Sequence, residues 1–115
     1  MLRALIAFAV LLIVVPNQLF AQGKGIRLWN LTTATISGFH LSLAGKNDWG
    51  PNQCQNDNDG TVDHDERLSV TGLVPGLYDA KLTDKTGRTC IVKDVAVTQG
   101  VFAIEEKQLI DCEQK

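Results

Sequence analysis

From residue 26 onward, short apolar or β-branched runs recur between glycine and other turn residues. That rhythm belongs to short strands joined by tight turns. Residues 26–30 read as a first strand and residues 35–43 as a second, with Phe39, Leu41 and Leu43 alternating against His40 and Ser42. Residues 44–66 read as a long polar connection. A strand resumes over 67–71, with Leu68 and Val70 on one face. Over 77–83 the alternation turns Tyr78, Ala80 and Leu82 inward and Asp79, Lys81 and Thr83 outward. Residues 90–97 form the next strand, followed by a turn at Gln99-Gly100 and a strand over 101–104. Residues 105–110 read as a single helical turn. No stretch sustains a period of 3.6 residues. The pattern predicts an all-β domain, a small antiparallel β-sandwich of six or seven strands.

The first residues follow a different pattern. Arg3 supplies a positive charge, residues 4–15 are an unbroken apolar run, Pro16 and Asn17 end it, and Ala21 offers a small residue for cleavage. Leu19 stands where a smaller residue is favoured, so the cut can shift by a few positions. A membrane-crossing helix needs about 20 apolar residues, and this run is shorter. Residues 1–21 are therefore expected to be a secretory signal peptide and 22–115 a single exported domain, periplasmic or secreted. No cysteine flanks the cleavage point, which argues against a lipid anchor. No second apolar segment offers a membrane span after cleavage.

Charge narrows the partners. The chain has a formal net charge of −2, and losing Arg3 makes the remainder more acidic. It has no basic stripe to follow a phosphate backbone, so nucleic acid is not an expected partner. The three cysteines, Cys54, Cys90 and Cys112, all follow the leader, and export permits disulfides. Cys90 and Cys112 are the expected pair, because the intervening segment reads as a hairpin that brings them together. Cys54 is then a buried free thiol or an intermolecular partner. No two cysteines have the close spacing of a zinc site.

Pro75-Gly76 suits a type II turn, with Gly76 taking the positive φ, and Tyr78 follows as a large inward aromatic. Asp84-Lys85-Thr86-Gly87 is a second turn, with Gly87 as its permissive residue. This strand, Pro-Gly, Tyr, strand, Asp-x-x-Gly order resembles the repeating unit of transthyretin-like and carboxypeptidase-regulatory-like sandwiches. Over most of residues 22–115, Asn30-Leu31-Thr32, Thr35-Ile36, Trp49-Gly50-Pro51-Asn52-Gln53, Pro75-Gly76-Leu77-Tyr78-Asp79 and Asp84 with Gly87-Arg88-Thr89-Cys90 resemble a group of small exported bacterial proteins of uncharacterised function. The resemblance implies a short transthyretin-like or immunoglobulin-like sandwich outside the cytoplasm, and no activity. The chain differs from that group at Cys54, where an apolar residue is usual, and in the longer acidic loop after it.

That loop is the main candidate for chemistry. With Gly60 as its sixth position, residues 55–66 resemble the calcium loop of EF-hand proteins. Asp57, Asp59, the Thr61 carbonyl, Asp63 and Glu66 then fall at ligand positions, and Val62 at the apolar eighth position. A hard cation takes six to eight oxygens, and alternating carboxylates around a glycine turn can wrap one. The loop differs from the pattern at Gln55, where Asp is expected. Its flanks differ too, because Trp49-Gly50-Pro51 cannot enter as a helix and Leu68-Ser69-Val70 leaves as a strand. The plainer reading is a solvated acidic loop, since Asp, Asn and Gly are ordinary turn formers. No basic residue lies among the carboxylates of residues 57–66, so without a cation the loop is expected to be mobile.

Other residues add little. His64 alone is a thin ligand set for a transition metal, and His40 belongs to a polar strand face. Trp49 reads as a plug over the end of the sandwich, and Trp29 as one of two alternating strand residues. No nucleophile elbow or cysteine-protease signature is present, so no catalytic residue is expected. The expected function is a noncatalytic exported module that binds a protein or a cell-envelope component. The alternatives are a calcium-binding protein and, less favoured, a small inhibitor or enzyme.

Overall fold

In β1, Ile26–Leu31, the residues Ile26, Leu28 and Asn30 are buried, while Arg27 is exposed and Trp29 and Leu31 are half-buried. The computed structural model describes residues 25–115, so the expected leader lies outside the described residues. The same two-residue period builds β2, Ile36–Leu43, β3, Arg67–Val70, and β4, Gly76–Asp84. It continues through β5, Arg88–Val97, and β6, Val101–Glu105. Short 3₁₀ turns occupy Gln53–Asn56 and Glu106–Gln108, and β7 is Ile110–Gln114. No helix among the described residues is long and apolar enough to cross a membrane.

The strands form two sheets, ordered β3-β1-β6 and β2-β4-β5-β7. Their inner faces meet in one core, where Phe39 of β2 and Phe102 of β6 approach across the sandwich with ring centroids 6.3 Å apart. Leu28, Phe39, Ile36, Leu68 and Ile104 are almost fully excluded from water. Each such side chain contributes roughly 1.5–3 kcal/mol through burial. The expected sandwich is present with seven strands, but it is not wholly antiparallel. β6 runs parallel to β1, in the register Arg27 to Val101 and Leu28 to Phe102. The chain leaves β5 through the positive-φ turn at Gly100 and crosses to the other sheet, so β6 arrives beside β1 pointing the same way.

This crossing corrects the reason for the disulfide, though not the pair. Cys90 and Cys112 are bonded. The residues between them are not a hairpin, because β6 belongs to the other sheet. They meet because β7 returns to pair antiparallel with β5, aligning Thr89 with Glu113 and Ile91 with Ile110. All five residues of β7 are exposed, so no apolar alternation announces it.

Two residues expected on the outer face of the four-stranded sheet are buried. Asp79 is 1% exposed. Its carboxylate accepts the backbone N–H of Gly45 at 2.9 Å and of Asp94 at 3.1 Å, and the Lys93 Nζ donates to it at 3.4 Å. Asp94 has φ +56° at a bulge where β4 and β5 lose register, so the carboxylate replaces ladder bonds that the bulge removes. Ser42 donates its hydroxyl to the Leu43 carbonyl and accepts the Asp48 N–H at 2.9 Å, which folds the following loop over it. Leu43, expected inside, is exposed.

Of the two expected turns, the second is present, and the type II turn at Pro75-Gly76 is not, because Gly76 lacks a positive φ. Gly72, at φ +79°, takes the positive conformation assigned to Gly76, which instead opens β4. The Tyr78 hydroxyl donates to the Val74 carbonyl at 2.7 Å and ties the Pro75 turn to the core. At the second turn, Gly87 has φ +90°, and Asp84 accepts the N–H groups of Thr86 and Arg88. Arg88 bonds Asp84 and Glu106 at 3.0 Å each, and Glu106 accepts the Thr33 N–H and hydroxyl. One chain of charges thereby ties the β4–β5 turn to the β1–β2 turn.

The carboxyls of this framework titrate below their ordinary range. For Asp79 the causes are the Gly45 and Asp94 amides, and for Glu106 the Thr33 amide and the Arg88 side chain. Burial pushes Asp84 up, but the Thr86 hydroxyl and the Arg88 and Thr86 amides outweigh it. A lowered folded-state pKa stabilises above the unfolded value of about 4 and is lost as pH falls through the folded one. Unfolding midpoints should therefore be flat near neutrality and fall steeply below about pH 4. Asp79→Asn should lower stability at pH 7 by roughly 1–3 kcal/mol and flatten the acid limb, measured by urea denaturation against pH.

Candidate functional site

The connection over 44–66 is a strap across one side of the sandwich. Its first half seals an edge of the four-stranded sheet. The Gly50 N–H bonds the Leu41 carbonyl at 2.9 Å. The Asn52 amide accepts the Phe39 N–H at 3.0 Å and donates to the Ser37 carbonyl at 3.1 Å. Asn52 therefore presents to β2 the donor and acceptor that a neighbouring strand would offer. Gln53 does the same for the other sheet, accepting the Thr71 N–H at 3.0 Å and donating to the Thr71 carbonyl at 2.9 Å. Asn56 adds a bond to the Ser69 carbonyl at 2.8 Å. Between these anchors the 3₁₀ turn carries Cys54 into the core, fully buried and unpaired. The thiol is the buried free cysteine foreseen as one of two outcomes. Burial first, and Asp57 second, push its pKa up to about 11.

The second half is the acidic loop. Gly60 turns at φ +73°, and Val62 is buried, bonding Ile36 in both directions at 2.8 and 2.9 Å. Both features match the calcium-loop pattern. The carboxylates, however, face the chain's own donors. Asp59 accepts the Thr61 N–H and hydroxyl, which hold it below its ordinary range. Asp63 accepts the Thr35 hydroxyl at 2.9 Å, and Asp65 the Trp29 Nε1–H at 2.9 Å. Glu66 accepts the Asp63 N–H at 3.2 Å. Asp57 has its backbone N–H on Cys54. Thr61 is half-buried beside Asp59. Among the described residues no three His, Cys, Asp or Glu side chains converge as a metal-holding group. The neighbouring Asp63 side chain raises the Glu66 carboxyl above its ordinary range.

The loop expected to be mobile is stitched to the β1–β2 turn. Asn30, 1% exposed, donates to the Ala34 and Val62 carbonyls, and its oxygen accepts the Thr32 N–H and hydroxyl. His64 Nδ1 lies 2.6 Å from the Thr32 carbonyl, and the Asp65 N–H bonds Asn30 at 2.7 Å. Trp29, beneath Arg67 at 4.5 Å, is part of this knot. Trp49 does not plug the end of the sandwich, because its ring lies 4.7 Å from Lys81 Nζ on the outer sheet face.

The outer face of the four-stranded sheet carries an open hollow of about 460 Å³. β4 supplies Lys81 and Thr83, β5 supplies Thr89 and Ile91, and the β7 region supplies Asp111, Glu113 and Lys115. The Thr83 and Thr89 hydroxyls lie 3.0 Å apart on its floor. Sequence alternation placed Lys81 and Thr83 outward but gave no sign of the β7 residues. The disulfide was the available signal, because a bond from Cys112 to Cys90 sets residues 110–114 beside β5.

Cys54 should resist alkylation in the folded protein at pH 8 and react fully once unfolded, with Cys90 and Cys112 unreactive unless reduced. Mass spectrometry after iodoacetamide treatment with and without denaturant checks this. Rapid labelling of the native protein would contradict the burial. Comparisons with protein families, curated proteins and solved structures find no match to this chain.

Proposed function

We propose that this chain is a noncatalytic exported module, periplasmic or secreted, that binds a protein or cell-envelope component through the outer face of its four-stranded sheet. The hollow at Lys81, Thr89 and Glu113 carries this reading. It gathers cations, carboxylates, hydroxyls and one apolar side chain on a rigid floor, which suits a polar partner better than a lipid. The leader pattern, the disulfide and the resemblance to small exported bacterial sandwiches support export. A binding role is favoured over catalysis because the titratable groups most tightly held, Asp79, Asp84 and Glu106, each serve a structural partner.

Glu113→Arg reverses charge in the hollow at an exposed position and should leave the fold intact. A partner cross-linked from envelope extract by the native protein should be lost with Glu113→Arg and kept with Asp59→Ala. A partner indifferent to Glu113→Arg would remove the outer face as its site.

Calcium binding at 55–66 is a second reading, favoured by the Gly60 turn at φ +73° and the buried Val62 bridged to Ile36, the features that a calcium loop has at its sixth and eighth positions. Asp57, Asp59, Asp63, Glu66 and the Thr61 carbonyl are its candidate ligands. Millimolar calcium should then raise the melting temperature of the native protein, and Asp63→Asn with Glu66→Gln should abolish the rise. No shift with calcium would exclude it.

A further inference from the structure

The two sheets have four terminal strands, β2, β3, β6 and β7. Three are protected. Asn52 and Gly50 cover β2, and Gln53 and Asn56 cover β3. β7 is broken by Asp111 at φ +50° and carries Asp111 and Glu113 two positions apart. Paired against a second copy about Cys112, it would set Asp111 against Glu113, which like charge disfavours.

Among the described residues, β6 has none of these devices. Its residues Val101–Glu105 include no positive φ, and its one charge lies at the end. The parallel register and the Arg27 N–H bond to the Gly100 carbonyl turn the backbone groups of Phe102 and Ile104 toward β1. The N–H and C=O groups of Val101 and Ala103 therefore point away from the sheet. The Glu105 N–H is closed off by the Gln108 side chain at 2.7 Å, which bounds the open stretch. Val101 is 39% exposed beside it.

We propose that β6 is a self-association edge, which pairs antiparallel with β6 of a second copy about a two-fold axis through Ala103. The sequence suits this register. Ala103 meets Ala103 and can exchange both backbone bonds, the Val101 N–H faces the Glu105 carbonyl while the Glu105 N–H stays on Gln108, and Phe102 meets Ile104, so the cores of the two sandwiches become continuous. Unpaired backbone groups along an edge are a template for another extended strand, and a two-fold arrangement makes the same patch complementary to itself. The inference is independent of the outer-face reading, since β6 belongs to the other sheet.

The test uses the exported protein as processed by the cell, in sedimentation equilibrium across a concentration series. Wild type should show reversible dimerisation. Ala103→Lys, which keeps an exposed side chain but opposes two ammonium groups across the axis, should be monomeric with an unchanged far-ultraviolet spectrum. An equimolar mixture of Ala103→Lys and Ala103→Glu should recover the dimer. A wild-type monomer at all concentrations, a dimer indifferent to Ala103→Lys, or one joined through Cys54 on non-reducing gels would overturn the proposal.

Discussion

Every strand at the rim of a sheet carries a row of backbone donors and acceptors that must be partnered or left to water, and that requirement shapes this protein. The strap between β2 and β3 answers it with side-chain amides. Asn52 and Gln53 each use both ends of the amide group, one on each sheet. Because the two residues are adjacent, the strap also fixes the distance between the sheets on that side. The conformation of the intervening chain follows, with Cys54 driven inward and Val62 drawn into a bridge with Ile36. A segment that is almost entirely polar thus behaves as part of the core wall.

The same substitution of side chain for backbone recurs with charge. Asp79 accepts N–H groups from a loop and from a bulge, and Asp84 accepts those of its own turn. Both would be costly to bury without those donors, and both have them. Arg88 then links Asp84 to Glu106, and Glu106 to Thr33, so one end of the sandwich is closed by ion pairs while the opposite turn is closed by the Tyr78 hydroxyl. These polar contacts consume most of the groups that a sequence reader would suspect of chemistry. The acidic loop is the clearest case, since Asp59, Asp63 and Asp65 each hold a hydroxyl or an indole of this chain.

Alternation of side chains made six strands legible, because in each a buried face recurs every second residue: Ile26 and Leu28, Leu68 and Val70, Phe102 and Ile104. β7 was not legible, because Ile110–Gln114 buries nothing and is held by backbone pairing and a sulfur bridge. Ser42 and Asp79 were assigned to the right side of the sheet and the wrong environment. Period-two reasoning gives direction, while their burial depends on the loop at 44–48 and the bulge at Asp94. The parallel pairing of β6 also escaped, since nothing local distinguishes a strand that stays in its sheet from one that crosses. Of the candidate site, Lys81 and Thr83 were visible as outward residues, but the hollow needs β7 to exist.

The parallel register of β1 with β6 has a consequence for the order in which the molecule can assemble. β1 lies in the middle of its sheet, yet both of its neighbours come from far later in the chain. Contacts of such long sequence separation form late, because the entropy of closing the loop must be met first. A nascent chain that ends before residue 105 has no complete three-stranded sheet to offer. β1 therefore lacks one of its two neighbours until residues 101–105 have been made, and the core face that it shares with Phe102 and Ile104 closes only then.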